Sequence, residues 1–207
     1  MSRIAFKTGS RRAPSGLIAA ALAAAMLWGC AGAPASFRAN VDGVQPGDTV
    51  AVLPLVNLSQ QQNAPDVVFN AVFVELLEIA DYAVVDPGLV QDMVLRLRLR
   101  LTDRLPLETL QQIGQELGCR YVLEGTVNAY GMVNDGPDAY PSVAVTMRMV
   151  RCADGRIVWA GSHARRGDDT ETVFGMGRVG TLEQLAQTTV SELMQSLRNE
   201  KQQGAAQ

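Results

Sequence analysis

The chain has 207 residues, of which 47% are hydrophobic and 19% charged, and its formal net charge is -3. Residues 1–29 hold four of the 18 Lys and Arg and no acidic residue, so the rest of the chain has 14 basic and 21 acidic side chains, a net charge of -7. This balance argues against nucleic-acid binding, for which a basic surface supplies most of the affinity. About 175 residues after such a leader are enough for one domain.

Residues 1–29 have the layout of a secretory signal peptide: a basic leader is followed by an apolar run over 16–27. That run is shorter than the roughly 20 residues of a membrane-spanning helix. The next residues, Leu27, Trp28, Gly29 and Cys30, resemble a bacterial lipobox, although Trp28 replaces the usual small residue. We therefore expect fatty acyl chains on Cys30. Ala31 is not the Asp of inner-membrane retention, which favours the outer membrane; the alternative is an ordinary signal peptide with a chance cysteine.

The segment 30–48 is rich in Ala, Gly and Pro and is predicted to be a flexible tether. The domain is predicted to span 49–199 and to begin with a doubly covered strand over 49–58, in which Pro54 marks a bulge or an unpaired edge. A helix is predicted from Pro65 to about Ala80. Val74 falls outside its apolar face, either as a surface valine or as a contact with another subunit.

A short strand is predicted over 82–85, and a helix over 86–95. From Leu95 to Leu101, leucines alternate with Arg96, Arg98 and Arg100, which is the period of a half-buried strand, although the local context is ambiguous. This basic row has two interpretations: a solvated face, or contact with lipid phosphates or an acidic partner. An amphipathic helix over 106–117 should end at Gly118.

Three strands, 119–130, 141–152 and 156–166, predict an antiparallel meander. A helix over 181–199 follows, with Thr181 and Gln184 as a capping box, and 200–207 is a predicted disordered tail. The order β-α-β-α-α-β-β-β-α predicts one α/β (α+β) domain, a mixed sheet with helices packed on it.

Cys119 and Cys152 are equidistant from the centre of the turn-rich segment 134–137. A regular hairpin would place them opposite each other, at a separation compatible with a disulfide. The alternative is two buried thiols in a hairpin with a bulged or shifted register.

Little catalytic chemistry is visible. Residues 175–180 match GxGxxG, but a single helix follows and the chain then ends, so the glycines are expected to let the backbone turn closely over the sheet. His163 is the only histidine and is expected on the surface of a strand, and the site has too few ligands for zinc. The acidic loop of Asp168, Asp169 and Glu171 lacks the ligand spacing of a calcium loop. We expect no cofactor, no metal and no enzymatic activity.

Four strings resemble one superfamily in order: AVLPLVNLS (51–59), YAVVDP (82–87), LGCRYVLEGTVNAY (117–130) and DGRIVWAG (154–161). This superfamily includes the curli-secretion protein CsgG, the exopolysaccharide-export lipoprotein PelC, the penicillin-binding-protein activator LpoB and the TolB amino-terminal domain. Its motifs are structural: Trp159 is expected to anchor the core, and Gly125 to permit close backbone approach.

The resemblance implies non-catalytic work on the periplasmic face of the outer membrane. Such a protein would be an accessory or structural subunit of envelope assembly or export that contacts other envelope proteins and can form a ring-like homo-oligomer. One alternative is an activator of a peptidoglycan synthase, and another is a periplasmic ligand- or nucleotide-binding domain. The chain has one long hairpin, 119–152, which carries the GTV motif, so a pore made by this chain alone is not expected.

Overall fold

One mixed sheet of seven strands forms the centre of the computed structural model, which describes residues 35–38, 47–79, 82–101, 104–169, 171 and 177–204. The backbone alone is described for 35–38 and 198–204. The predicted signal peptide, Cys30 and the end of the tail lie outside the described residues. The strands are β1 (Ala35–Arg38), β2 (Asp48–Val52), β3 (Val56–Asn57), β4 (Tyr82–Val84), β5 (Tyr121–Asp135), β6 (Asp138–Arg151) and β7 (Ile157–Arg166).

The strand order is β1-β7-β6-β5-β2-β4, and β3 also pairs with β5. β2 runs parallel to β4 and β5, and β3 runs parallel to β5, whereas β5, β6, β7 and β1 form an antiparallel array. The predicted mixed sheet with an antiparallel meander late in the chain is therefore confirmed.

Four helices cover the sheet: α1 (Ala64–Glu78), α2 (Pro87–Arg96), α3 (Leu107–Leu117) and α4 (Leu182–Gly204). Successive side chains of a strand point to opposite faces, so the residues of β2 show which helices cover each face of the sheet. Val50 and Val52 join a core with α1 and α4. Ala51 joins a second core with α2 and α3. The domain thus has three layers, with one pair of helices on each face of the sheet.

Helix ends follow local chemistry. The Asp86 carboxylate accepts a hydrogen bond from the Gly88 N–H at 2.8 Å and so caps α2. Gly118 ends α3 with a left-handed φ of 61°, which glycine adopts at little cost. The Thr181 hydroxyl accepts from the Gln184 N–H at 3.3 Å before α4, which is half of the predicted capping box.

Four local predictions need correction. The predicted strand 49–58 is interrupted at Leu53–Leu55, around Pro54, which has no N–H for a ladder. The predicted strand 95–101 is wrong, because α2 continues to Arg96 and the chain then turns, with Arg98 at a φ of 51°. The hairpin strands extend to Asp135 and from Asp138, so the turn is only Gly136 and Pro137.

The fourth correction concerns the predicted tether. Its residues Ala35–Arg38 pair with β7 as an antiparallel edge strand, in register with Trp159 to Ser162. An extended segment can satisfy the free N–H and C=O groups of β7, whatever its composition. Among the described residues no helix is both long enough and apolar enough to cross a membrane.

Candidate functional site

The helices α2 and α3 cover only part of their face of the sheet. Val122 of β5 and Val150 of β6 are buried beneath them. Farther along β5 and β6, and on the neighbouring β7, this face carries exposed polar side chains, namely Asn128, Thr146 and Ser162. We call the surface of Glu124, Thr126, Asn128, Thr146, Arg148 and Ser162 the open sheet face.

Hydrogen bonds connect the open sheet face across three strands. The Asn128 amide nitrogen donates to the Thr146 hydroxyl oxygen at 2.7 Å, and this hydroxyl lies 3.1 Å from that of Ser162. Glu124 and Arg148 form a cross-strand ion pair, with the guanidinium Nε donating to the carboxylate at 2.5 Å. Cross-strand pairs of this kind fix side-chain positions, so the face is polar and ordered.

A groove of about 350 Å³ lies where the open sheet face meets the covered part. One wall is formed by the interruption around Pro54 between β2 and β3, and the other by Leu101 and Arg104 before α3. Glu124, Arg148 and Gly125 lie at its floor. The groove is therefore lined by apolar side chains, by Arg104 and by the paired charges of Glu124 and Arg148, a composition suited to binding a peptide or side chain from another molecule.

Gly125 lies where the sheet leaves no space for a side chain. A Cβ atom at this position would lie 2.9 Å from the Thr146 carbonyl oxygen and 3.2 Å from the Leu55 Cδ2 atom. This geometry is the close backbone approach expected for Gly125. Trp159 is 1% exposed and lies in the core beneath α4. Within the described residues its indole N–H has no hydrogen-bond partner.

His163 is not the surface residue that the sequence predicts. It is 5% exposed, on the face of β7 covered by α4, and its Nε2 atom lies 2.6 Å from a Glu192 carboxylate oxygen. The buried Arg165 guanidinium lies 3.7 Å from the same carboxylate. The prediction for His163 is wrong because its burial depends on Glu192, a partner that lies 29 positions along the chain, on another element.

Arginine side chains pair with carboxylates of the acidic loop after β7. Arg166 donates to both carboxylate oxygens of Asp168, at 2.9 and 2.7 Å, and these hydrogen bonds hold the pKa of Asp168 below its usual value of 3.8. Arg166 also pairs with Asp135 at the hairpin tip. Among the described residues, no three His, Cys, Asp or Glu side chains are grouped to hold a metal ion.

The glycine motif is described from Gly177 onward, and its first two residues lie outside the described part. The Val179 N–H donates to the Gly167 carbonyl at 2.9 Å, and a Cβ on Gly167 would lie 2.4 Å from the Val179 carbonyl oxygen. The segment therefore passes directly over the end of β7, and the glycine that permits this approach is Gly167, which lies outside the motif; a Cβ atom on Gly180 would meet no atom within 4 Å.

Cys119 and Cys152 lie side by side at the base of the hairpin, with their Sγ atoms 3.9 Å apart. They do not face each other in the ladder, because a bulge at Asn128 and the position of the turn place Cys152 opposite Arg120. The hydrogen bond between the two thiols lowers the pKa of Cys119, and the same bond together with burial raises the pKa of Cys152.

The chain matches the family model described as the peptidoglycan-synthase activator LpoB over residues 19–164. The chain belongs to the LpoB family. The match begins within the predicted signal peptide and ends in β7, so α4 lies beyond it. None of the curated proteins compared with the chain matches it.

Solved structures also share this fold. The PelC dodecamer from Paraburkholderia phytofirmans is 18% identical, with a TM-score of 0.53 over 79% of this chain and 96% of that one. Lipoprotein GNA1162 from Neisseria meningitidis is 22% identical, with a TM-score of 0.53 over 73% and 99%. The LpoB C-terminal domain from Salmonella enterica is 22% identical, with a TM-score of 0.42 over 60% and 87%. The family match confirms the resemblance to LpoB, and the PelC and GNA1162 structures share the fold of this chain.

Sequence reasoning missed the open sheet face, although its pattern is present in the sequence. Polar residues alternate with buried ones along β5, as Glu124, Thr126 and Asn128, and along β6, as Thr146 and Arg148. A period of two predicts a half-exposed strand. The extent to which α2 and α3 cover that face could not be predicted from the strands.

Proposed function

We propose that this chain is an outer-membrane lipoprotein, anchored through Cys30, which acts in the periplasm without catalysis by contacting envelope proteins and activates a peptidoglycan synthase. The observation that carries the proposal is the family match over residues 19–164, which includes part of the predicted leader as well as the sheet. Under this proposal residues 1–29 are removed, and residues 31–34 connect the lipid on Cys30 to β1.

The open sheet face supports this proposal, because it is exposed, ordered and rich in hydrogen-bonding groups. Its hydroxyl and amide groups pair with one another across the strands, so little side-chain entropy remains to be lost when a partner binds. The groove beside Arg148 adds apolar lining residues, such as Pro54 and Leu101, against which a partner side chain can be buried. We assign the contact with the synthase to this surface.

The test measures glycan polymerisation by a peptidoglycan synthase of the same organism, with and without the full-length protein in detergent micelles. We expect the rate to rise with the protein concentration and to reach a plateau. Thr146→Arg, in the open sheet face, should abolish the increase. Gln187→Arg is the matched control, because it adds the same side chain at an exposed position of α4, on the other layer.

Each outcome bears on a separate part of the proposal. An unchanged rate at saturating protein would contradict synthase activation. Loss of activation by both variants, or by the control alone, would contradict the assignment to the open sheet face. Thermal unfolding of both variants, at an unchanged midpoint, serves as the folding control.

A second candidate is a ring-forming subunit of an export system. It is favoured by Val74 and Leu77, which are 46% and 52% exposed and lie three residues apart on α1. Neighbouring exposed apolar residues are typical of contacts between subunits. Light scattering after gel filtration should then show an oligomer that Leu77→Asp dissociates; a monomer at all concentrations would contradict this candidate.

A further inference from the structure

Two cysteines outside the proposed docking surface come close enough to react with each other. Cys119 precedes β5 and Cys152 follows β6, and both are nearly inaccessible to solvent, at 5% and 4% exposure. We propose that they form a disulfide bond in the exported protein, which joins the two ends of the long hairpin. This proposal rests on the periplasmic location in the proposed function, since disulfides persist in that compartment.

The backbone around Cys119 explains how residues that do not face each other in the ladder meet. The observed ladder pairs Tyr121 with Arg151, so Cys152 is opposite Arg120, and its N–H donates to the Arg120 carbonyl at 3.0 Å. Successive side chains along a strand point to opposite faces of the sheet. Cys119 is next to Arg120, so in a regular strand it would point away from the face on which Cys152 lies. Cys119 escapes this rule because it follows Gly118, whose φ of 61° turns the chain before the strand begins.

The helix α3 holds the pair in place. A Cβ atom on Gly114 would lie 2.7 Å from the Cys152 Cβ and 3.4 Å from its Sγ, so the backbone of α3 lies directly against Cys152. The Cys119 N–H donates to the Gly114 carbonyl at 3.1 Å. One short segment of α3 therefore contacts both cysteines, and neither can move far from the other while the domain is folded.

The remaining change is small. The two Sγ atoms lie 3.9 Å apart, and a disulfide requires about 2.05 Å. Under the proposal, rotation about the side-chain torsions brings the two Sγ atoms to this distance. Alternative uses of the pair find no support in the described part of the chain, where no third His, Cys, Asp or Glu side chain joins these thiols as a metal ligand.

The oxidant is a disulfide-bonded protein, or the disulfide form of glutathione, in the compartment to which the chain is exported. The first cysteine attacks that disulfide as its thiolate, forms a mixed disulfide and releases one sulfur of the oxidant. The second cysteine then attacks the first cysteine's sulfur, which forms the Cys119–Cys152 bond and releases the oxidant's other sulfur. The two cysteines lose two protons and two electrons, and the oxidant becomes a dithiol or two thiols. Because the folded protein buries both thiols, this exchange takes place while the chain folds.

The primary test is mass spectrometry on the full-length protein from membranes of the native organism. The sample is denatured in an excess of alkylating reagent without reductant and then digested. We expect the peptides of Cys119 and Cys152 to be linked. The mass of the linked pair should be two hydrogens lower than the summed masses of the two reduced peptides. The result is read in protein whose amino terminus shows that the leader has been removed. In that protein, recovery of both cysteines as alkylated peptides, or linkage of either to another molecule, would overturn the proposal.

An intact leader would instead contradict the proposed location, and a second measurement then decides on the bridge. The denatured, reduced full-length chain is refolded in detergent with a glutathione redox buffer. Formation of the same linked peptide under these conditions supports the bridge independently of export. Refolding to a protein with two free thiols at an oxidising ratio overturns it.

Thermal unfolding gives a quantitative readout. A bridge that closes a loop of this length should raise the midpoint by roughly 10 °C, so a strong reductant should lower the midpoint of the oxidised protein by that amount. The double variant Cys119→Ala, Cys152→Ala should show no response to reductant. An equal response in both proteins would contradict the assignment, and the mass measurement decides if the variant fails to fold.

Discussion

Gly125 offers a sharp test of the packing at the centre of the sheet. In Gly125→Ala the new methyl carbon would lie 2.9 Å from the Thr146 carbonyl oxygen and 3.0 Å from the Met147 Cγ atom. The carbonyl belongs to the backbone of β6 and cannot retreat without disturbing the β5–β6 ladder, in which Gly125 faces Met147. Overpacking of this kind costs about 1 to 3 kcal/mol of unfolding free energy.

The same strand supplies a matched control. A Cβ on Gly131 would meet no atom within 4 Å, and its φ lies outside the left-handed region. Gly131→Ala should therefore leave the free energy of unfolding unchanged or raise it by about 0.4 to 1 kcal/mol, because alanine restricts the unfolded chain more than glycine does.

Urea unfolding followed by tryptophan fluorescence measures both variants. Trp159 is the only tryptophan that follows Cys30, so the signal of the processed protein reports on the core. For a domain of this size the cost predicted for Gly125→Ala corresponds to a fall of roughly 2 to 12 °C in the thermal midpoint. Equal stability of the two variants, or a larger loss for Gly131→Ala, would refute the packing argument.

Three further predictions follow from buried or paired side chains. Trp159→Ala should lower the free energy of unfolding by about 3 to 5 kcal/mol, measured in urea, because it leaves a cavity in the core; a loss below about 1 kcal/mol would contradict that placement. Glu192→Gln removes the charge that faces His163 and should cost about 1 to 3 kcal/mol at pH 7, and an unchanged urea midpoint would argue against this contact. Arg166 lowers the folded-state pKa of Asp168, so this pair stabilises the fold above pH 3.8 and loses its contribution as the pH falls through the lower folded value. Asp168→Asn should therefore lower the thermal midpoint at pH 6 and have a shrinking effect below about pH 4; the same effect at pH 6 and pH 3 would refute the linkage.

The elements that could be predicted from the sequence are those whose signals are local. The run of apolar residues along α3 ends at Gly118, and the observed helix ends there too, because a left-handed residue satisfies the terminal carbonyls within a few positions. Asp86 and Thr181 likewise mark helix starts through hydrogen bonds to residues two or three positions away. Such signals do not depend on the rest of the fold.

The segment 95–101 shows how a local pattern misleads. Its alternation of leucine and arginine fits a strand, yet Val90, Met93 and Val94 precede it at helical spacing and are buried against the sheet. Burial of that face continues the helix to Arg96, where the side chain pairs with Glu116 of α3. Tertiary packing therefore outweighed a seven-residue pattern.

The candidate site depends on contacts between elements that are distant in the sequence. The position of Cys152 relative to Cys119 depends on a bulge at Asn128, and no residue pattern in the hairpin predicts this bulge. The open sheet face depends on how little of β6 and β7 the helices α2 and α3 cover. Alternation along single strands indicates a half-exposed sheet but does not indicate which half is free.

The most direct test of the proposed function is the chemical state of the amino terminus in protein extracted from outer membranes. The account predicts that the mature chain begins at Cys30 and that its amino-terminal peptide carries the added mass of fatty acyl groups. A chain that begins downstream of Cys30 without lipid, or one that retains residues 1–29 and is recovered from the cytosol, would contradict it.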